Sequence, residues 1–109
     1  MSWLLRQGDV LATAEVAETF AQRSRGLLGK SSFDGALIMP RTRSVHTLGM
    51  RFAVDVAVCN KDMVVVGVTT LRPWRMSLPR RGGRSVVEAQ AGAFERWGLR
   101  VGDQLELRG

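Results

Sequence analysis

The chain has 109 residues, and its 16 basic and 10 acidic side chains give a net charge of +6. This length predicts a single domain over residues 1–109, large enough to bury roughly 60 to 70% of the surface that its unfolded form would expose. One cysteine excludes an intramolecular disulfide. The amino-terminal apolar run, residues 3–5, is far too short for a signal peptide or a spanning helix. We therefore expect a cytoplasmic protein with no membrane partner.

The positive charge is unevenly distributed. No acidic residue lies between Asp62 and Glu88, and a second acid-free interval separates Asp34 from Asp55. These intervals contain Arg72, Arg75, Arg80, Arg81 and Arg84, and Arg41, Arg43 and Arg51. Such a surface attracts anions, although a solvated basic face rich in arginine is the simpler interpretation. We expect no nucleic-acid partner, because neither a recognition helix nor a stacking-aromatic motif accompanies the charges.

The first half of the chain predicts short elements bounded by turns. Alternating side chains indicate a strand over residues 9–16. A helix is expected from Thr19, whose hydroxyl suits an N-cap, to about Leu28, with Gly29 ending it. An apolar strand over residues 33–39 follows, closed by a proline, and residues 41–44 form a basic loop.

The second half begins with a predicted hairpin. Its strands span residues 52–59 and 63–70, around the turn-forming residues 60–62. The remaining elements are a loop over 72–84, a strand over 85–89, a short helix over 91–97 ended by Gly98, and a last strand over 104–108. We expect a β-rich α+β fold, a single-domain β-sandwich or flattened barrel with two short helices.

The most informative position is Asp55, a carboxylate in the middle of an apolar strand. An unpaired buried carboxylate costs several kcal/mol, on the order of 3 to 5, so Asp55 requires a close partner. The nearby candidates are His46, Thr47 and Arg51.

Glu88 is the second carboxylate in an apolar strand. Paired carboxylates can perform general acid–base chemistry, and His46, the only histidine, can act as a base, a metal ligand or a structural hydrogen-bonding group. The alternative is that each carboxylate binds an arginine or backbone amides and fixes strand register. The sequence leaves open whether Asp55 and Glu88 meet.

Metal and thiol chemistry have weaker support. Asp55 and Cys59 are about 13 Å apart along one strand, too far for one ion. No closely spaced ligand pair occurs in the sequence, so we expect no metal and no cofactor. Cys59 ends an apolar strand, where a free cysteine behaves as a small core residue.

Trp74 and Met76 are large apolar residues within the arginine-rich loop. They could fasten the loop to the core, or they could stack on a ligand or anchor a partner. Trp97, on the short helix, is expected to belong to the core.

Four motifs resemble the family known as domain of unknown function 192. They are RGLLG at 25–29, HTLGM at 46–50 followed by the Asp55 strand, VVEAQAG at 86–92 and GLRVGDQLEL at 98–107. The resemblance covers about residues 9–107. It implies a small β-rich domain, mostly bacterial and archaeal, with no established activity. Many members of that family carry glycine where this chain has Met63, and glutamate in the Glu88 strand.

Two functions are compatible with these residues. The first is a non-enzymatic module that binds an anionic or polyhydroxylated small ligand between residues 41–51 and 72–84. Its candidate ligand-binding residues are His46, Thr47, Arg51, Asp55, Arg72, Trp74 and Glu88. The alternative is a small hydrolase or lyase that uses Asp55, Glu88 and His46. No catalytic residue is assigned, and both a monomer and a homodimer are compatible with the sequence.

Overall fold

The computed structural model describes residues 2–30 and 32–109, without the side chains of Phe20 and Ser24. In chain order the elements are β1 (Ser2–Arg6), β2 (Asp9–Val16), α1 (Phe20–Arg25), β3 (Ala36–Pro40), β4 (Val54–Cys59), β5 (Val65–Leu71), β6 (Ser85–Gln90), α2 (Ala93–Trp97) and β7 (Leu105–Arg108). They agree with the predicted elements from β2 onward, with ends displaced by a few residues.

The seven strands formed by the described residues belong to one sheet, in the order β5-β4-β6-β3-β2-β1-β7. Among these strands only β2 and β3 pair in parallel, and α1 connects them. The sheet curls, because the beginnings of its two edge strands meet: Val64 bridges Gln104, and the Val65 amide donates to the Asp103 carbonyl over 2.8 Å. The expected β-rich class with two short helices is confirmed, in the form of this single curled sheet.

The hairpin between β1 and β2 is a feature that the sequence prediction missed. Its turn residues, Gln7 and Gly8, both have positive φ, 52° and 83°. Two such residues match the twist of a two-residue hairpin. Trp3 and its neighbours therefore form the strand between β2 and β7.

The first helix begins as predicted but ends earlier. Thr19 is the N-cap, and its hydroxyl accepts a hydrogen bond from the Gln22 amide over 3.0 Å. The Gln22 side chain reaches back to the Thr19 amide and completes a capping box. Gly26, with φ of 52°, ends α1, so the helix stops short of Leu28.

Apolar side chains cover both faces of the sheet. On one face, here the α2 face, Leu4, Ile38 and Val87 belong to the same core as Phe94 of α2. On the other, here the α1 face, Leu37 and Val56 belong to a core with Leu27, which follows α1. A strand between two cores must be apolar on both sides, and every residue of β4 is buried. The carboxylates Asp55 of β4 and Glu88 of β6 are therefore both buried.

None of the helices in the described part of the chain has the length and apolar character needed to cross a membrane.

Candidate functional site

Asp55 has a complete set of partners, but none is a residue proposed from the sequence. Its Oδ1 accepts a hydrogen bond from the Thr70 hydroxyl over 2.8 Å. Its Oδ2 accepts from the amides of Gly92 and Phe94 over 3.0 and 3.1 Å. Asp55 thus ties β4 to β5 and to the first turn of α2. The expected pairing with His46, Thr47 or Arg51 is wrong, because none of them donates these bonds, whereas the alternative that backbone amides hold the carboxylate is confirmed for Asp55.

Asp55 and Glu88 lie on opposite faces of the sheet. In the β4–β6 pairing, Val56 is opposite Glu88 and Asp55 is opposite Ala89. Successive side chains of a strand point to alternate faces, so Asp55 shares the α2 face with Ala89 and Glu88 shares the α1 face with Val56. One site cannot contain both carboxylates, and the hydrolase or lyase that uses the two together with His46 is thereby excluded.

Glu88 is a buried residue with an unsatisfied carboxylate oxygen. It is 2% exposed, and its Oε2 forms no hydrogen bond with any described residue. Neither does Glu88 form a salt bridge within residues 2–30 and 32–109. Burial raises its pKa from 4.5 to about 7, because a carboxylate loses its hydration in the interior. A polar atom in this condition costs stability unless another molecule satisfies it.

Glu88 lies in a cleft of about 350 Å³ on the α1 face. The end of α1 approaches it closely: a Cβ on Gly26 would lie 3.3 Å from Oε2. Together with its positive φ, this approach explains why glycine stands at position 26. The other side of the cleft consists of residues 41–46, and Met39 also contributes.

Arginines surround this cleft. Arg23 and Arg25 come from the last turn of α1, and Arg41 and Arg43 from the loop after β3. The Arg23 and Arg41 guanidinium groups donate to the same carbonyl, that of Glu18, over 2.6 and 3.1 Å. None of the four forms a salt bridge with a carboxylate in the described part of the chain. The cleft therefore carries a positive charge that nearby acids do not neutralise.

His46 also contributes to the cleft. Its Nδ1 accepts a hydrogen bond from the Leu48 amide over 3.3 Å. In a neutral ring this leaves the proton on Nε2, which is then a donor. The structure thus places His46 and Glu88 in one cleft, as two of the seven residues proposed for ligand binding.

Thr47 has a structural position outside the cleft. Its hydroxyl donates to the Arg72 carbonyl over 2.6 Å and accepts from the Arg75 amide over 2.9 Å. These bonds hold the loop that contains Trp74. Arg51, Arg72 and Trp74 are exposed and do not line the cleft around Glu88. Trp74 is 64% exposed and Met76 69%, so neither side chain fastens the loop to the core.

Cys59 lies in the core, as predicted. It is fully buried, and burial raises the pKa of its thiol to about 11, so the reactive thiolate is disfavoured. No group of three or more histidine, cysteine or acidic side chains suited to a metal ion occurs among the residues that the structure describes.

The cleft arginines absent from the site predicted from the sequence are Arg23, Arg25, Arg41 and Arg43. Arg25 is the first residue of the RGLLG motif at 25–29, which the family resemblance had already singled out. Nothing in the sequence indicated that this motif lies against Glu88, because the contact depends on the crossover from β2 to β3.

Comparison with known families addresses the whole chain. The model of DUF192, described as an uncharacterised family, matches residues 4–107. The chain belongs to the DUF192 family. The resemblance stated from the motifs is confirmed, and the matched region begins within β1, earlier than the expected residue 9.

Relatives of this DUF192 chain are known from archaea. A UPF0127 protein of Pyrococcus furiosus is 39% identical over 103 residues, which cover 90% of this chain and 89% of the relative. A UPF0127 protein of Pyrococcus horikoshii is 32% identical over 111 residues, covering 97% of this chain and 90% of the relative. Neither name states an activity.

Two crystal structures share the fold. A protein of unknown function from Novosphingobium aromaticivorans has a TM-score of 0.81 at 20% identity, covering 96% of this chain and 82% of that one. A candidate transcription regulator from Sinorhizobium meliloti has a TM-score of 0.80 at 22% identity, covering 96% and 90%. At these identities the likeness concerns the fold of the DUF192 chain alone.

Proposed function

We propose that this DUF192 protein is a non-enzymatic module that binds a small hydroxylated anion in the cleft around Glu88. The observation that supports the proposal is the buried Glu88 Oε2, which has no hydrogen-bond partner among the described residues, in a cleft lined by four arginines that form no salt bridge with a described carboxylate. An unsatisfied carboxylate oxygen and a cluster of arginines add no stability to the folded chain, whereas one ligand could form hydrogen bonds with both.

The charges define the ligand class. Guanidinium groups bind phosphate or carboxylate oxygens through charge-assisted hydrogen bonds, which suits Arg41 and Arg43 to an anionic group. A carboxyl group at the floor of a cleft binds hydroxyl groups, since it accepts hydrogen bonds when ionised and also donates one when protonated. His46 supplies a further donor beside them. A sugar phosphate or a hydroxy acid combines both features, and the cleft has the volume of a small-molecule site.

The module differs from the one expected from sequence in its position. The cleft lies between the end of α1 and residues 41–46, and not between residues 41–51 and 72–84. Asp55 and Thr47 have structural partners of their own, and Arg51, Arg72 and Trp74 lie elsewhere. His46 and Glu88 are retained, with Arg23, Arg25, Arg41 and Arg43 added.

Isothermal titration calorimetry tests the proposal with glucose 6-phosphate, orthophosphate and glucose as probes. We expect glucose 6-phosphate to bind, and Arg41→Gln to weaken that binding about tenfold, because a charge-assisted hydrogen bond is lost. The matched control is Arg96→Gln, which removes the same charge from α2, outside the cleft. Added salt should weaken binding to the wild type.

Two results would contradict the proposal. The first is the absence of binding for both phosphate probes. The second is an equal effect of Arg41→Gln and Arg96→Gln, which would mean that net charge alone attracts the anion.

A further inference from the structure

The loop over residues 72–84 exposes large apolar side chains among its arginines. Trp74 and Met76 are more than half exposed, and Leu78 is 88% exposed. Leu48 and Val68 are also exposed, and Leu48 follows Thr47, whose carbonyl accepts from the Trp74 amide over 2.8 Å. Val68, Met76 and Leu78 line one groove, and neighbouring exposed apolar side chains of this kind mark an interaction surface.

This surface is held in place. The Ser77 amide donates to the Val45 carbonyl over 2.9 Å, and the Val45 amide donates to the Ser77 hydroxyl over 2.9 Å. Met76 forms an isolated bridge with His46, in addition to the bonds that Thr47 makes with the loop. The backbone is thus fixed while the apolar side chains remain in water, so binding through them requires little ordering of the loop.

The charged side chains of the loop are all of one sign. Residues 63–87 contain no acid, and the loop carries five arginines, all of them exposed: Arg72, Arg75, Arg80, Arg81 and Arg84. A second copy of this chain would bring the same positive charge against it, so self-association through this face is disfavoured. The complementary partner is an extended anionic surface.

We propose that Trp74, Met76 and Leu78 insert into the interface of a membrane rich in anionic lipid, while the loop arginines bind its headgroups. Tryptophan favours the boundary between headgroups and acyl chains, and apolar burial combined with attraction to anionic lipid drives binding at a membrane surface. The protruding side chains need no preformed pocket there, since lipid adapts to their shape. The expectation of no membrane partner concerned only spanning and targeting segments, and not binding at the membrane surface.

Vesicle co-sedimentation of the full chain tests this proposal. The probes are vesicles of phosphatidylcholine alone, and of phosphatidylcholine and phosphatidylglycerol in equal parts. We expect binding to the anionic vesicles, weakened at least about tenfold in the triple variant Trp74→Ser, Met76→Ser and Leu78→Ser, because these side chains lose their burial in lipid. The control is Val10→Ser with Val101→Ser, two exposed apolar residues outside the loop.

Fluorescence provides a second readout that does not depend on sedimentation. The emission difference between the wild type and Trp74→Phe isolates Trp74, and it should shift to shorter wavelength only with anionic vesicles. Failure to bind anionic vesicles would overturn the proposal, as would equal binding by the triple variant or equal binding to neutral vesicles. Dimerisation of the wild type that the triple variant loses would assign the surface to a second copy instead.

Discussion

Asp55 and Glu88 are both buried carboxylates in central strands, yet their surroundings differ. Asp55 is 5% exposed and accepts three hydrogen bonds, two of them from backbone amides. Glu88 is equally buried, but its Oε2 accepts none from the described residues. Asp55 therefore stabilises the junction between β4 and α2, whereas Glu88 weakens the fold that contains it.

The role of Asp55 predicts graded losses of stability. Asp55→Asn keeps an acceptor for the amides of Gly92 and Phe94 but loses the charge, so we expect a loss of about 1 to 2 kcal/mol. Asp55→Ala leaves both amides without a partner, and the loss should reach about 3 kcal/mol or more. Urea titration measures both. Equal stability of Asp55→Ala and the wild type would refute this structural role.

The sequence predicted that Asp55 needs a partner but not which one. Its partners at positions 70, 92 and 94 are 15 to 39 residues away, and they are brought to it by strand register and by the start of α2. Local spacing therefore pointed to His46, Thr47 and Arg51. His46 and Thr47 form other hydrogen bonds, and Arg51 is exposed.

At the level of elements, the segment that contains Thr47 and the loop over 72–84 form one hydrogen-bonded unit. The Thr47 amide donates to the Arg75 carbonyl over 2.8 Å, and the Thr47 hydroxyl bonds to both Arg72 and Arg75. The loop lacks regular secondary structure over most of its length. Its order therefore depends on hydrogen bonds to residues 45–47, including those of the buried Thr47 side chain.

Replacing Thr47 by valine should loosen the loop. Thr47→Val preserves the shape but leaves the Arg75 amide and the Arg72 carbonyl without their side-chain partner, and we expect a loss of about 2 kcal/mol. Amide hydrogen exchange at residues 74–77 should accelerate, while exchange in β4 should change only as far as global stability does. The control is Thr69→Val, at an exposed position of β5.

An unchanged exchange rate at Arg75 in Thr47→Val would show that the backbone bonds hold the loop without the hydroxyl.

The backbone angle at Met63 explains a glycine preference that the family resemblance implies at this position. Its φ is 61°, in the left-handed region that favours glycine. The resemblance implies glycine here in many family members, and a glycine would suit that backbone conformation. In this chain Met63 packs against the α2-face core, so side-chain burial accompanies an unfavourable backbone angle.

For the whole molecule, periodicity and turn residues predicted most of the elements. The hairpin of β4 and β5, the capped start of α1 and the glycine at the end of α2 are local features, and all three are confirmed. The order of the strands and the position of the cleft are non-local. They depend on the crossover from β2 to β3 and on the pairing of β3 with β6, which no local pattern specifies.

The free energy of unfolding should depend on pH through Glu88, the buried carboxyl in the cleft. Glu88 has a pKa of about 7 when folded and the ordinary 4.5 as its reference. Below pH 4.5 the folded and unfolded states both hold the proton, so the Glu88 carboxyl is buried without a charge. As the pH rises from 4.5 through about 7, the unfolded chain loses its proton before the folded chain does. The free energy of unfolding therefore falls, by about 3 kcal/mol in total.

The most direct test of this account is the free energy of unfolding of the wild type and Glu88→Gln, measured by urea titration from about pH 4.5 to about pH 8. We predict that the wild type loses about 3 kcal/mol more than Glu88→Gln over this range, since glutamine does not titrate. Parallel pH profiles would contradict the account. A variant less stable than the wild type by several kcal/mol, on the order of 3 to 5, at every pH would mean that Glu88 has a partner within the fold.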